Sequence, residues 1–154
     1  MLNYIKITDS SGISDNNDGT YTVHFIDGTS RLVTDAEIIM ALKSAKIIEL
    51  KIATSTAINS GFMSSALGAP YRYDSTLPQD QINLLGAVLS GMDVNYTCTA
   101  SSGVKSQVMH TAAQLQQVFK DGAGWIEFNK ANFWSKAAAV NSATTVDEVN
   151  AVVF

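Results

Sequence analysis

Polar and apolar positions alternate along the first thirty residues and then switch to three- and four-residue spacing. Leu2, Tyr4, Ile5 and Ile7 suggest an opening strand, and a polar loop is expected from Asp9 to Gly19. In the run from Gly19 to Ile26, Tyr21, Val23 and Phe25 fall on one face and Thr22 and His24 on the other. Asp27-Gly28 then leads into Thr29–Val33, a hairpin signal because glycine reaches positive φ without a Cβ penalty. The spacing predicts a small antiparallel sheet over residues 2–33.

A helix is expected from about 35 to 60. Thr34 or Asp35 can cap it, Glu37 suits the positive end of its dipole, and Ile38, Leu42, Ala45, Ile48 and Ile52 form a stripe that Ile39, Ile47, Leu50 and Ile58 widen, so more than one side is expected to be buried. Asn59-Ser60-Gly61 is its stop. Phe62–Leu67 and Tyr71–Tyr73 around Gly68-Ala-Pro70 read as a hairpin. A second helix follows, with a capping box at Thr76 and Gln79, Pro78 in its first turn, a buried stripe of Ile82, Leu85, Val88 and Leu89, and an end near Ser90-Gly91. Val94–Thr99 and Val104–Met109 form another hairpin. Thr111 caps a third helix over 112–142, kept continuous across Gly122 and Gly124 because burial of Trp125, Phe128 or Phe133, and Trp134, at roughly 1.5–3 kcal/mol each, outweighs about 1 kcal/mol per glycine. Close helix packing explains the glycines. A capping box at Thr145 and Glu148 opens a short final helix to about Val152.

Composition narrows the function. The chain has 154 residues, one domain's worth with at most a small appendage, and only 16% are charged, so its surface is weakly charged. Ten basic and fourteen acidic residues give a net charge of −4 with no basic cluster, which argues against nucleic acid. A single cysteine, Cys98, leaves no intramolecular disulfide, and with two histidines it does not make a structural zinc site. Nothing in the sequence approaches a membrane span or a signal-peptide core, so the expected birthplace is the cytoplasm.

Candidate chemistry is sparse. Ser14–Gly19 has the look of a calcium loop, but Phe25 stands where the bidentate Glu belongs, and an Asx-rich turn is the better reading. Ser64-Ser65 lacks the Gly-x-Ser-x-Gly spacing of a nucleophile elbow. His24 and His110 are read as surface or capping residues, and Cys98 as a buried, inert thiol. No catalytic, cofactor-binding or metal residues are assigned. Aromatic residues and arginine dominate binding hot spots, which marks Tyr71, Arg72, Tyr73, Trp125 and Trp134 as possible anchors, with core packing the first reading for each Trp.

The stretch Ile58–Val88 contains Gly61-Phe-Met-Ser-Ser-Ala-Leu-Gly68, Tyr71-Arg-Tyr-Asp-Ser75 and Asp80-Gln-Ile-Asn-Leu84. With His110-Thr-Ala-Ala-Gln114 and Ala143-Thr-Thr-Val-Asp-Glu-Val149, it resembles a domain of unknown function that recurs in tailed-phage and prophage tail-region proteins. The resemblance covers about residues 35–154. It brings no active site, only matching positions such as Gly61, Ser64, Ser65, Gly68, Tyr73, Asp80, Gln81, Asn83, His110 and Gln114. Turn and cap chemistry accounts for most of them.

The expected architecture is α+β: a small N-terminal antiparallel sheet, residues 1–33, and a domain of three main helices with short β-hairpins, residues 34–154. The resemblance implies a non-enzymatic structural component of the phage tail near the fibre or baseplate, carried in the virion and made in the host cytoplasm. A tail-fibre assembly chaperone is the alternative. Its partners are then tail fibre or baseplate proteins, in a homo-oligomer or a symmetric attachment, without cofactors, nucleic acid or membrane. Docking is expected by strand-edge pairing of residues 1–33, with Tyr21, Val23 and Phe25, and residues 35–152 are expected to fold without this sheet; the alternative is that Tyr21, Val23 and Phe25 pack onto the helices as part of one core, which moves docking to Tyr71, Arg72 and Tyr73.

Overall fold

The computed structural model describes residues 10–154. The strand expected over Leu2–Ile7 lies outside the described residues. The fold is α+β. Strands β1 (Ser10–Asp15), β2 (Thr20–Phe25) and β3 (Ser30–Thr34) form one antiparallel sheet in the order β1-β2-β3. Helix α1 (Asp35–Asn59) follows, then β4 (Phe62–Ser64), β5 (Tyr71–Tyr73), α2 (Pro78–Ser90), β6 (Val94–Ala100) and β7 (Lys105–His110). A second antiparallel sheet has the order β4-β5-β6-β7. Helices α3 (Ala112–Ser142) and α4 (Val146–Ala151) close the chain.

Part of the loop expected at Asp9–Gly19 is strand β1. Its side chains are largely solvent-facing, so no apolar alternation marks it. What holds it is main-chain pairing with β2, in a register running from Ser10 opposite Phe25 to Asp15 opposite Tyr21. The Asx turn does form: Asp15 Oδ1 accepts from the Asn17 N–H at 2.8 Å, and Asp18 Oδ1 from the Thr20 N–H at 3.0 Å.

Thr34 caps α1. Its N–H donates to Glu37 Oε2 at 3.0 Å and its hydroxyl accepts from the Glu37 N–H at 3.4 Å, a reciprocal box. The α1 stripe is buried at Ile38 and Leu50 but exposed at Ile48 and Ile52. Gly61 ends the turn after α1 at φ +93°, and a Cβ there would lie 2.7 Å from the Tyr73 carbonyl oxygen. Two requirements, a left-handed backbone and close approach of β5, therefore meet at one residue. At α2 the expected box at Thr76 and Gln79 is displaced by one residue: the Asp80 carboxylate accepts from the Leu77 N–H at 3.0 Å. Leucine has no acceptor to return, so only half the device exists.

Two compact units emerge. One runs to Ile52 and takes in Phe133–Phe154; the other is Ala53–Asn132. The first has a core of Val23, Val33 and Ile38, with Tyr21, Phe25, Ile39, Leu42 and Val146 packed against it. In the second, Phe62, Tyr73, Leu84, Cys98, Leu115 and Val118 form the core. Helix α3 is continuous, as its spacing predicts, but Phe128 and Trp134 are exposed and do not stabilise it by burial. Trp125 is half-buried. Its indole N–H donates to the Ala57 carbonyl at 3.2 Å.

Candidate functional site

Helix α2 is apolar nearly all round, Ile-Asn-Leu-Leu-Gly-Ala-Val-Leu over 82–89, and the second unit covers only one of its sides. Leu84 is buried, with Ala87 and Val88 packed against the core. Ile82, Leu85 and Leu89 point outward. The stripe predicted as buried is therefore mostly the exposed one, because a helix with apolar residues on two faces gives the pattern no single direction.

Beside that outward face lies a cavity of about 430 Å³. Ile82 and Leu85 of α2 form one wall, while Phe119, Ala123 and Ile126 of α3, spaced four and three residues apart, form the other. Gly122 keeps the opening deep. A Cβ on it would stand 2.8 Å from Phe62 Cζ, so the phenyl ring rests against bare backbone where a side chain would otherwise stand. Two of the polar groups in the lining, those of Ser75 and Trp125, are already engaged. The Ser75 hydroxyl donates to the Ile58 carbonyl at 2.7 Å, and the Trp125 indole is held by Ala57. Little besides apolar surface is left for an occupant, and the volume falls within the range of ligand and side-chain pockets.

A second, polar cleft of about 240 Å³ involves Asp74, Asp80, Asn83, Asn95, Tyr96 and Lys105. Its charges satisfy one another. Lys105 Nζ sits 2.6 Å from Asp74 Oδ2, Arg72 is 4.0 Å from the other Asp74 oxygen, and Asp80 is spent on the α2 start. The Tyr96 hydroxyl donates to the Asp80 carbonyl at 3.3 Å, and burial, with Asp80 and Asp74 adding, pushes that phenol up to about 12.

The docking residues expected from sequence lie largely inward. Val23 is fully buried against Val33 and Ile38, with Tyr21 and Phe25 packed half-buried beside it. Tyr73 is buried in the second core and Tyr71 packs against that core. Arg72 is half-exposed, yet Nη2 donates to the Ser60 carbonyl, a cation at the carbonyl-rich end of α1. The face of β2 that alternates is the one that packs, with Val23 fully covered and Tyr21 and Phe25 partly so. His24 lies between Ser14 and Ser30 on the opposite face.

His110 is not at the surface. It is fully buried beside Tyr73 and Tyr96 in edge-to-face contact, with ring centroids 5.8 and 6.2 Å away. The Val108 carbonyl can only accept, so Nδ1, 2.7 Å from it, carries a proton. In the neutral ring Nε2 then accepts from the Tyr73 hydroxyl at 2.8 Å. Cys98 is buried next to this pair, and burial raises its thiol, as an inert cysteine requires. The Ser64 hydroxyl donates to Asp121 Oδ2 at 2.5 Å and accepts from the Ala66 N–H, so it fixes a turn. Thr111 and Gln114 cap α3 reciprocally, at 2.8 and 3.2 Å. The matching positions Gly61, Ser64, Tyr73, Asp80, His110 and Gln114 thus hold the second unit together. Among the described residues, no three His, Cys, Asp or Glu side chains converge as a metal site, and no helix is long and apolar enough to cross a membrane.

Comparison with curated proteins and with solved structures gives no match. Residues 41–153 match the family described as Domain of unknown function (DUF4376), and with nearly three quarters of its length inside the match the chain belongs to that family.

Proposed function

We propose that the chain is a non-enzymatic structural component of a phage tail, working near the fibre or baseplate by attachment to other protein surfaces. The observation that carries the attachment reading is the apolar cavity between α2 and α3 with the exposed Ile82, Leu85 and Leu89 beside it. A monomeric soluble protein seldom leaves such a patch uncovered. The tail setting rests on the sequence resemblance of Gly61–Gly68, Tyr71–Ser75 and Asp80–Leu84. In the first unit β3 pairs only with β2 among the described residues, so its other main-chain edge suits strand addition even though Tyr21, Val23 and Phe25 are engaged.

Mass spectrometry of purified virions tests the reading. The chain is expected in mature particles in several copies per tail. Its absence there, with soluble trimeric fibre forming only when it is co-expressed, would replace the structural role with that of an assembly chaperone. Release of glycan or cell-wall fragments by the purified protein would overturn the non-enzymatic assignment.

A further inference from the structure

We infer that the α2 face of the second unit is a two-fold interface with a second copy of this chain. The inference rests on the attachment reading of the cavity but not on the tail setting.

Three observations select a second copy as the occupant. The first is charge. The chain carries a net charge of −4, so contact between two copies is least opposed where the touching surface is uncharged. Among the thirteen residues of α2 the one ionisable side chain is Asp80, and it is turned to the helix start, where it binds the Leu77 N–H. The facing positions on α3, Phe119, Gly122, Ala123 and Ile126, are uncharged.

The second observation is shape. An isologous contact needs one patch that supplies both the projection and the recess. Ile82, Leu85 and Leu89, 59%, 42% and 76% exposed, project from α2 at i, i+3 and i+7. That is the spacing with which a helix fills a groove. The recess lies directly beside them, over Gly122 and Ala123. Packing the α2 ridge of each copy into the recess of the other satisfies both at once.

The third is area. Phe119 and Phe128 are exposed too, and Phe128 stacks on the cavity residue Trp125 with centroids 6.0 Å apart. At roughly 100 Å² for each such side chain, these five supply on the order of 500 Å² per copy. Exposed Leu77 and Met92, at either end of α2, carry that toward the ~800 Å² per partner that a stable dimer buries.

Sedimentation equilibrium of the full-length protein tests this, with Leu89→Glu as the principal variant and Ile48→Glu, an exposed apolar site outside the patch, as control. The native chain and the control are expected to be dimers at micromolar concentration. Leu89→Glu is expected to weaken dimerisation by at least about 30-fold, the loss that defines a hot spot. Because Leu89 is mostly solvent-exposed, its circular dichroism spectrum should stay native, and Leu85→Lys provides a second variant should it not. A native chain that is monomeric up to about 0.1 mM overturns the inference, as does a dimer indifferent to both substitutions. A monomer still found in virions removes the pairing and spares the tail role. A dimer missing from virions does the reverse.

Discussion

The core under the first sheet is three aliphatic side chains, Val23, Val33 and Ile38, whereas the core under the second contains a tyrosine bonded to a histidine with a buried cysteine beside them. The first holds by shape and hydrophobic burial, and its polar work is done at the rim, by the Thr34–Glu37 and Thr145–Glu148 boxes. The second has brought polar groups inside and paired them. An aliphatic core loses stability in proportion to the area uncovered. A polar core is sensitive to the removal of single atoms, since an orphaned buried group forfeits its hydration as well as its partner.

The largest break is a chain starting at Thr34. It lacks β1–β3 and uncovers Ile38 together with the half-buried Ile39 and Leu42. Losing the burial of Val23 and Val33 alone removes roughly 3–6 kcal/mol, comparable to the whole stability of a small unit. Cooperative thermal unfolding of the first unit is expected to vanish, while near-ultraviolet circular dichroism from Tyr73, Tyr96 and Trp125 persists. An unchanged transition would show that the sheet is a separable docking element.

Tyr73→Phe makes the next largest change, and it deletes one oxygen. His110 Nε2 then loses its partner in a fully buried site, a loss of about 1–3 kcal/mol that urea denaturation would register as a lowered midpoint with unchanged slope. A midpoint equal to that of the native protein would mean that the Tyr73–His110 bond contributes nothing.

The same division predicts opposite responses to pH. In the second unit burial raises the Tyr73 phenol, with Cys98 next in effect, and takes Tyr96 up to about 12, two phenols against the single Tyr21 that burial raises in the first unit. A raised folded-state value favours the protonated phenol. That stabilisation is whole below the ordinary tyrosine value, about 10, and is lost as the pH climbs toward 12. In the first unit the Thr34 N–H holds Glu37 below its ordinary value, the Thr144 N–H does so for Glu148, and the Thr29 hydroxyl lowers Asp27. Lowered values favour the carboxylates, so this contribution is present above about pH 4 and disappears as the pH falls through the folded values. Residue-resolved hydrogen exchange should therefore show the first unit opening first in acid and the second first in alkali. The reverse order would overturn the assignment.

Element type and order were legible because they rest on local chemistry. Thr34, Gly61, Thr111 and Thr145 mark boundaries that the structure keeps, and α3 runs over the residues its period indicates. Facing was less legible. Alternation in β2 reports that one face is buried, not that it is covered by its own chain, so Tyr21, Val23 and Phe25 read first as a docking face although they pack into the core. In α2 two apolar faces compete, and only the neighbours decide that Leu84 turns in and Leu85 out. His110 sits next to a helix cap in sequence, but its partner Tyr73 is 37 residues away, a contact no local pattern contains. The polar interior and the cavity both depend on such long-range choices.

The smallest expected effect separates two glycines that the sequence treats alike. Gly122 and Gly124 both lie inside α3, where glycine is about 1 kcal/mol less favourable than alanine. At Gly124 an added Cβ meets nothing within 4 Å, so Gly124→Ala should stabilise the protein by about 0.5–1 kcal/mol. At Gly122 the same methyl would stand 2.8 and 2.9 Å from two carbons of the Phe62 ring, which is buried and packed against Tyr73 with centroids 5.7 Å apart. The ring cannot retreat without disturbing that stack, and overpacking of this kind costs about 1–3 kcal/mol, which exceeds the helical gain. Gly122→Ala should therefore destabilise by about 1 kcal/mol while its neighbour two residues on does the opposite, a difference of sign that thermal melts of the two variants resolve. Stabilisation by both would mean that Phe62 yields freely, and that the floor of the α2–α3 cavity is softer than a close-packed core.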